Sequence, residues 1–534
     1  APGAALALSG DHDPAAQSGP GDWCLATAPY GSGDLGSPGV ANEICVGSDP
    51  DGDGYSVDDG DCDETRPDVY PGATELANGR DDNCDGVVDN LAIADLAQLS
   101  WSGAAGEHLG TSVGLGDVRG DTLAEPLMGA ERAGGDRGAV RGVILTEGLW
   151  ADTDFVSVVG SNPGDRVGGV SARAGDQDGD GIVDLVAAGS DPTGARSTVV
   201  LTMVPGGSFL AGEKTMGSGV INLMGAGGTS GGRVYSALDL DGDGLDDILY
   251  GDPTSSSPTF QSGKVSLIYT ADIQGPSLHA ASFVSEFTGT YGKEFVGMGL
   301  GGGDMNGDGY DDAFVGAPGE EPDATYVDSG SWTIYAGGAA PADGTLGTGA
   351  LARITVAADR TGMGWGTPTL ADVDGDGTED LAFGGFGSNR VWVYLNPSFS
   401  GGSTYDADSS ASMILTGTGH FGFAVSGGDF DNDGVDDLVV GAPSVDSPSP
   451  EVDWELLPGT AAGVAYVFRG PLAAGDQATA SAMLSGSPGD LFGAVISAAD
   501  KGTSDDFADV LIGAPNAGSG GEGTVYLYSG SPTN

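Results

Sequence analysis

The sequence predicts an all-β fold in which seven small sheets stand radially as a seven-bladed β-propeller. Three observations carry this. An acidic loop recurs at a nearly constant spacing, each loop is flanked by β-branched or aromatic runs, and 99 glycines among 534 residues disfavour long helices.

Five loops follow the pattern D-x-[DN]-x-D-G-x-x-D, running Asp176 to Asp184, Asp239 to Asp247, Asp304 to Asp312, Asp372 to Asp380 and Asp429 to Asp437. Two worn copies start at Asp117 and Asp500. Successive first aspartates lie 59, 63, 65, 68, 57 and 71 residues apart, room for about four short strands and their turns. Before each loop comes a Gly-rich strand, such as Phe421-Gly422-Phe423-Ala424-Val425. After it come a β-branched run and a small-residue turn, as in Leu438-Val439-Val440-Gly441-Ala442-Pro443, then an alternating strand such as Val391-Trp392-Val393-Tyr394. Period-two alternation with Gly and Pro punctuation is the strand signal. One four-stranded sheet cannot bury both faces, whereas seven arranged radially can.

An outer strand precedes each Gly-rich strand: Phe155–Gly160, Val220–Gly225, Phe283–Gly289, Leu351–Ala357, Ser412–Gly417 and Ser481–Gly486. The first such strand, Leu96–Ser102, has no earlier blade to join, and the last repeat ends on its third strand, Thr524–Ser529. Antiparallel pairing of these two segments is expected to close the ring and remove its exposed sheet edges.

With 78 Asp or Glu against 18 Lys or Arg, the formal charge is −60. Such a surface repels phosphate backbones and anionic lipid, so nucleic acid is not an expected partner. Apolar runs such as Val199–Val204 fall far short of the ~20 residues of a bilayer helix, which argues against direct membrane insertion. Asp outnumbers Glu by 62 to 16 and is clustered. A halophile's acidic surface would scatter both residue types over every face.

Oxygens at positions 1, 3, 5, 7 and 9 of a tight loop can converge on one hard cation, the seventh through its backbone carbonyl. The expected ligand sets are Asp176, Asp178, Asp180, Ile182 and Asp184; Asp239, Asp241, Asp243, Leu245 and Asp247; Asp304, Asn306, Asp308, Tyr310 and Asp312; Asp372, Asp374, Asp376, Thr378 and Asp380; and Asp429, Asp431, Asp433, Val435 and Asp437. Oxygen-only ligation points to Ca2+, because magnesium demands a stricter octahedron and transition metals prefer His or Cys. Three or four carboxylates in one turn repel each other without a cation. That separates the loops from ordinary polar turns. In the first worn loop Arg119 stands at position three and Glu125 at position nine, so a salt bridge in place of a metal is expected. The seventh, from Asp500, lacks carboxylates at positions three and five and is also expected to be empty. Arg119-Gly120-Asp121 spells an adhesion tripeptide, expected to be buried inside the worn loop.

Phe-Gly, an acidic loop and then Gly-Ala-Pro resemble the FG-GAP repeat of integrin α-subunit propellers and their bacterial relatives, over residues 91 to 534. Residues 45 to 90 form a separate acidic module. Its Asp49-Pro50-Asp51-Gly52-Asp53-Gly54-Tyr55, Asp61-Cys62-Asp63 and Asp81-Asp82-Asn83-Cys84-Asp85-Gly86 resemble thrombospondin type 3 calcium repeats and the disulfide-linked acidic repeats of secreted bacterial surface proteins. That family often has Cys after the Glu where this chain has Leu76-Ala77. The resemblance implies one or two further calcium ions, held by Asp49, Asp51, Asp53 and Tyr55 and by Asp81, Asn83, Asp85 and Asp89. Residues 1 to 44 read as an arm or linker with little structure of its own.

The four cysteines, Cys24, Cys45, Cys62 and Cys84, all fall in the first 84 residues and contain no C-x-x-C pair, which favours disulfides and an oxidising compartment over zinc. Sequence alone allows three pairings. Cys24–Cys45 with Cys62–Cys84 is the expected one, since each pair brackets its own segment. No basic stretch precedes the apolar Ala4–Leu8, and any leader is expected to have been removed.

The FG-GAP resemblance implies a secreted or cell-surface, calcium-stabilised protein of adhesion or surface assembly and no enzyme. Its expected partners are a surface protein, a polysaccharide or further copies of itself in a filament. A secreted hydrolase or lyase with a channel active site is one alternative, and a lectin is another. His12, His108, His279 and His420 form no visible constellation, and Trp332, Trp365, Trp392 and Trp454 are irregularly placed in the repeat.

Overall fold

In the computed structural model, residues 6–8, 23–25, 29–30, 34–35, 50–51, 54–63, 65–67, 69–71, 73, 84 and 90–92 are described in the N-terminal part. From 99 to 530 all are described except 121–123, 144–154, 161–165, 171–174, 191–197, 205–211, 216–220, 227–232, 257, 271–276, 279–284, 322–327, 339–342, 445–461, 473–474, 477–479 and 500–506. The chain forms two compact units, Ala1–Asp95 and Leu96–Asn534.

In the larger unit each repeat folds as an antiparallel meander. The third is representative: Arg233–Tyr235, Ile248–Asp252, Lys264–Ile268 and Ser285–Thr288 pair in that order. The first strands of the seven sheets are the innermost. Leu109–Gly116, Gly169–Val170, Arg233–Tyr235, Leu300–Gly303, Thr369–Ala371, Ala424–Gly428 and Val495–Ala499 each touch the next, and the last returns to Leu109–Gly116. The unit is therefore a closed β-propeller.

Two expectations are corrected here. Among the described residues the blade count is six and not the expected seven: six sheets are full five-stranded blades where four strands were expected, and a further sheet has four strands. In five of the six the fifth strand is a short parallel segment lent by the following repeat. Gly212–Thr215 pairs with Phe155–Val159, Ser277–Leu278 with Ile221–Ala226, Gly344–Thr345 with Ser285–Thr288, Ser403–Asp406 with Ala352–Thr355, and Gly475–Asp476 with Met413–Thr416. These segments are too short and too polar to read as strands, and a neighbour's free edge fixes them. The second correction concerns Phe421-Gly422-Phe423, which is a turn and not a strand; the inner strand starts at Ala424.

The four-stranded sheet joins both ends of the unit. Leu99–Ser102 runs antiparallel to the segment starting at Thr524, in the register Ser102 to Thr524, Trp101 to Val525, Ser100 to Tyr526 and Leu99 to Leu527. The Ser102 and Thr524 hydroxyls lie 3.0 Å apart, and Trp101 is buried with Leu109, Leu511 and Val525. This is the closure the repeat count requires.

The core lies between neighbouring blades. One cluster combines Val391, Val393 and Leu415 of the fifth sheet with Phe421, Leu438 and Val440 of the sixth. Such packing needs the backbones to approach closely, and the glycines permit it. Gly422 has φ +85°, and its N–H donates to the Gly441 carbonyl of its own blade at 3.1 Å. A Cβ on Gly441 would lie 2.0 Å from the Gly493 carbonyl oxygen of the next blade, and a Cβ on Gly513 would lie 2.5 Å from the Gly110 oxygen across the closure.

In the smaller unit, Leu6–Leu8 pairs with Trp23–Leu25 and Pro29–Tyr30 with Asp34–Leu35, two short antiparallel ladders in the expected arm. Cys62 and Cys84 form a disulfide; the side chains of Cys24 and Cys45 lie outside the described residues. Tyr55 and Tyr70 stack with ring centroids 5.2 Å apart.

Two outcomes follow. Gly441→Ala forces backbone atoms apart, so it should destabilise the propeller by about 3 kcal/mol or more, read as a lowered melting temperature; an unchanged Tm contradicts the glycine contact. Trp101→Ala, which empties the closing strand's only large buried side chain among the described residues, should cost about 3–5 kcal/mol in chemical denaturation.

Candidate metal centres

Each acidic loop is built the same way. The first-position carboxylate accepts N–H groups from the turn it starts: Asp239 takes those of Gly242 at 2.8 Å, Asp243 at 3.0 Å and Gly244 at 3.0 Å. Asp176 and Asp372 repeat all three bonds, and Asp304 and Asp429 repeat the last two. Positive-φ glycines such as Gly242 and Gly244 let the chain curl tightly enough.

The ninth-position aspartates of the five complete loops stand at or just before the start of the second strand and are almost wholly buried, with Asp184 and Asp312 at 0% exposure. Each pins its loop. Asp247 accepts the Leu240 N–H at 3.1 Å and the Thr270 N–H at 2.9 Å, and Asp437 accepts those of Phe430 at 3.2 Å and Gly470 at 2.8 Å. Burial pushes the carboxyls of Asp247, Asp312 and Asp437 up to about 7 and that of Asp380 to about 6, with nearby loop aspartates adding to the effect.

In four loops the carboxylates at positions one, three and nine offer oxygens within 4.8 Å of one another: Asp176, Asp178 and Asp184; Asp239, Asp241 and Asp247; Asp372, Asp374 and Asp380; and Asp429, Asp431 and Asp437. The fifth-position carboxylates lie outside these triplets and accept a backbone N–H with one oxygen, Asp180 from Ile182 and Asp243 from Leu245, both at 2.9 Å. Two neighbours intrude on these sites. Asn396 Nδ2 donates to Asp376 at 2.7 Å, and Arg469 Nε stands 3.6 Å from Asp431. In the loop from Asp304, the Asn306 amide donates to Asp312 Oδ1 at 3.4 Å, while Asp312 Oδ2 is buried without a hydrogen-bond partner. Hard oxygens that converge in four loops, and an orphaned one in the loop from Asp304, suit a divalent cation.

The first worn loop keeps the scaffold and changes the charge. Buried Glu125 accepts the Val118 N–H at 3.1 Å, as the ninth aspartates do for their loops, and Arg119 Nη1 lies 3.9 Å from its other oxygen. Arg119 is half-buried and Gly120 exposed, so the tripeptide is not buried as expected; Asp121 is outside the described residues. So are the seventh loop from Asp500 and, in the smaller unit, Asp49, Asp53, Asp81, Asn83, Asp85 and Asp89. Of that set Asp51 and Tyr55 are described, and Asp51 is half-buried.

Comparison with known proteins places these loops. An FG-GAP-like repeat is found at residues 372–440 and an FG-GAP repeat at 421–468. A putative metal-binding motif, Cu-binding MopE, matches residues 61–90. Integrin alpha-PS2 of Drosophila melanogaster is 30% identical over 38% of this chain and 15% of its own length. Phosphatidylinositol-glycan-specific phospholipase D of Homo sapiens is 34% identical over 32% of this chain and 21% of its own. The chain thus spans about a fifth or less of these relatives. The solved Dos1 propeller covers 77% of this chain and is covered to 77%, at 11% identity and a TM-score of 0.39, too slight a likeness to carry an argument.

The raised carboxyls have a consequence for pH. Their folded pKa values of about 6 to 7 lie above the ~3.9 of an unfolded aspartate. The stability they contribute is present below about pH 4 and is lost as pH rises through 6 to 7. In EDTA, the melting temperature should therefore fall between pH 5 and pH 8, and calcium at pH 8 should restore it. A metal-free Tm that rises over that interval contradicts the burial of these groups.

Proposed function

We propose that this chain is an extracellular, calcium-stabilised, non-enzymatic propeller of adhesion or surface assembly, with one calcium in each of the five complete loops. The observation that carries it is the recurrence, in four of the five complete loops, of three converging carboxylates, one of them the buried ninth aspartate. Calcium supplies the positive charge that these crowded oxygens lack. The chain's own residues set the ligand direction through the N–H bonds to the first and ninth carboxylates.

Several observations support the surroundings. The Cys62–Cys84 disulfide suits an oxidising compartment. No helix among the described residues is long and apolar enough to cross a membrane. The integrin similarity supports adhesion, and the same repeats in a phospholipase D supply the rival, enzymatic reading. The non-enzymatic reading rests on the clustered carboxylates being taken up by backbone N–H groups and, in this reading, by calcium. In residues 61–90, matched by a motif named for copper, the side chains offer carboxylate and amide oxygens, with no His or Met and with both cysteines in the disulfide. That donor set suits calcium better than copper.

Calcium removal tests the reading directly. EDTA should lower the Tm of the full chain at neutral pH by about 10 °C or more, and calcium should restore it; no change with EDTA sinks the structural-calcium claim. Beads coated with the chain should clump only with calcium if it assembles with itself. A chain stabilised by calcium whose beads stay dispersed loses the self-assembly claim and keeps the metal one.

A further inference from the structure

Consecutive acidic loops are joined by residues that no ligand set includes. The N–H of Asp176 donates to Asp246 Oδ2 at 2.7 Å, and the N–H of Asp246 donates back to the Asp176 carbonyl at 2.9 Å. The same reciprocal pair joins Asp239 to Asp311, at 2.9 and 3.0 Å, and Asp372 to Asp436, at 2.8 and 2.9 Å. In each case the eighth residue of one loop grips the first ligand of the loop in the preceding blade. The adjacent ninth residue serves its own loop, so the doubled aspartate divides its work between two blades.

A second contact, independent of the first, reinforces the grip. The side chain at position seven covers the fourth-position glycine of the preceding loop. A Cβ there would meet Leu245 Cδ2 at 2.7 Å on Gly179, Tyr310 Cε1 at 2.5 Å on Gly242, and Val435 Cγ2 at 2.8 Å on Gly375. Between the third and fourth loops the pattern changes. Thr378 and Glu379 stand at positions seven and eight, and a Cβ on Gly307 would meet nothing within 4 Å.

We propose that Asp246, Asp311 and Asp436 are positioning residues for the metal loop of the preceding blade, coupling calcium binding between the loops from Asp176 and Asp239, from Asp239 and Asp304, and from Asp372 and Asp429. The first ligand can aim its carboxylate only if its backbone is fixed, and the next loop holds both the N–H and the C=O of that residue. A calcium that orders one loop therefore lowers the ordering cost of its neighbour, and the effect is reciprocal. This inference rests on the calcium reading above.

Calcium titration calorimetry of the full chain tests it with a double-mutant cycle. Asp246→Ala should weaken one site about tenfold, the loss expected when a charge-assisted bond is removed. Asp246→Asn, which keeps an acceptor oxygen for the Asp176 N–H, should weaken it less and guards against a misfolded alanine variant. Asp178→Asn disables the preceding loop, so adding Asp246→Ala to it should produce no further loss of calcium affinity. If Asp246→Ala weakens binding equally in the Asp178→Asn background, Asp246 acts on its own loop and the proposal is overturned. Unchanged affinity in Asp246→Ala overturns it as well. A wild-type chain that binds no calcium overturns the calcium reading itself.

Discussion

The architecture depends on backbone contact between glycines of neighbouring blades. The Gly441 Cα faces the Gly493 carbonyl, the Gly384 Cα faces that of Gly422, and the Gly513 Cα faces that of Gly110, each too close for any side chain. Removing the Cβ on one blade lets the β-branched and aromatic residues beside it interdigitate with the next, as Val440 does with its cluster. Positive φ at Gly422 and Gly493 then turns the chain into the inner strand. Every other feature is a consequence of holding the sheets at this separation. The buried inter-blade core, the lent fifth strands and the meeting of adjacent acidic loops all require it.

The acidic loops exploit that closeness and strain it electrostatically. A carboxylate buried at position nine costs solvation, which its backbone N–H partners only partly return. The first worn loop gives an internal comparison. There Arg119 brings positive charge to Glu125 from within the chain, while the backbone bond from position two to position nine is kept. Scaffold and charge neutralisation are thus separable. The fifth complete loop lies between the two cases, with Arg469 near Asp431 and the carboxylate triplet retained. The net charge of −60 makes external cations the natural partners for the remaining loops.

Much of this was legible in the sequence because it is local. The repeat, the strand order within a repeat and the positions of the acidic loops follow from period-two alternation and from aspartates a fixed number of residues apart. Closure by Leu99–Ser102 was legible by counting, since one strand had to be shared between the ends. The roles within a loop were less so. Asp180 and Asp243 stand at ligand positions by spacing, and each also accepts a nearby N–H with one oxygen, because a tight turn leaves its own donors within reach.

The sequence by itself determined the sheet type, the repeat boundaries and which residues crowd negative charge, since these depend on neighbours a few positions apart. Only the tertiary structure decided that Gly212–Thr215 and its counterparts become fifth strands. It alone assigned the two halves of Asp246-Asp247 to different blades and set Phe421 in a turn that seals the core. Those outcomes depend on groups about 60 to 70 residues away in sequence, such as Asp176 and Asp246, separated by 70. Closing the ring is what brings such groups within a hydrogen bond of each other.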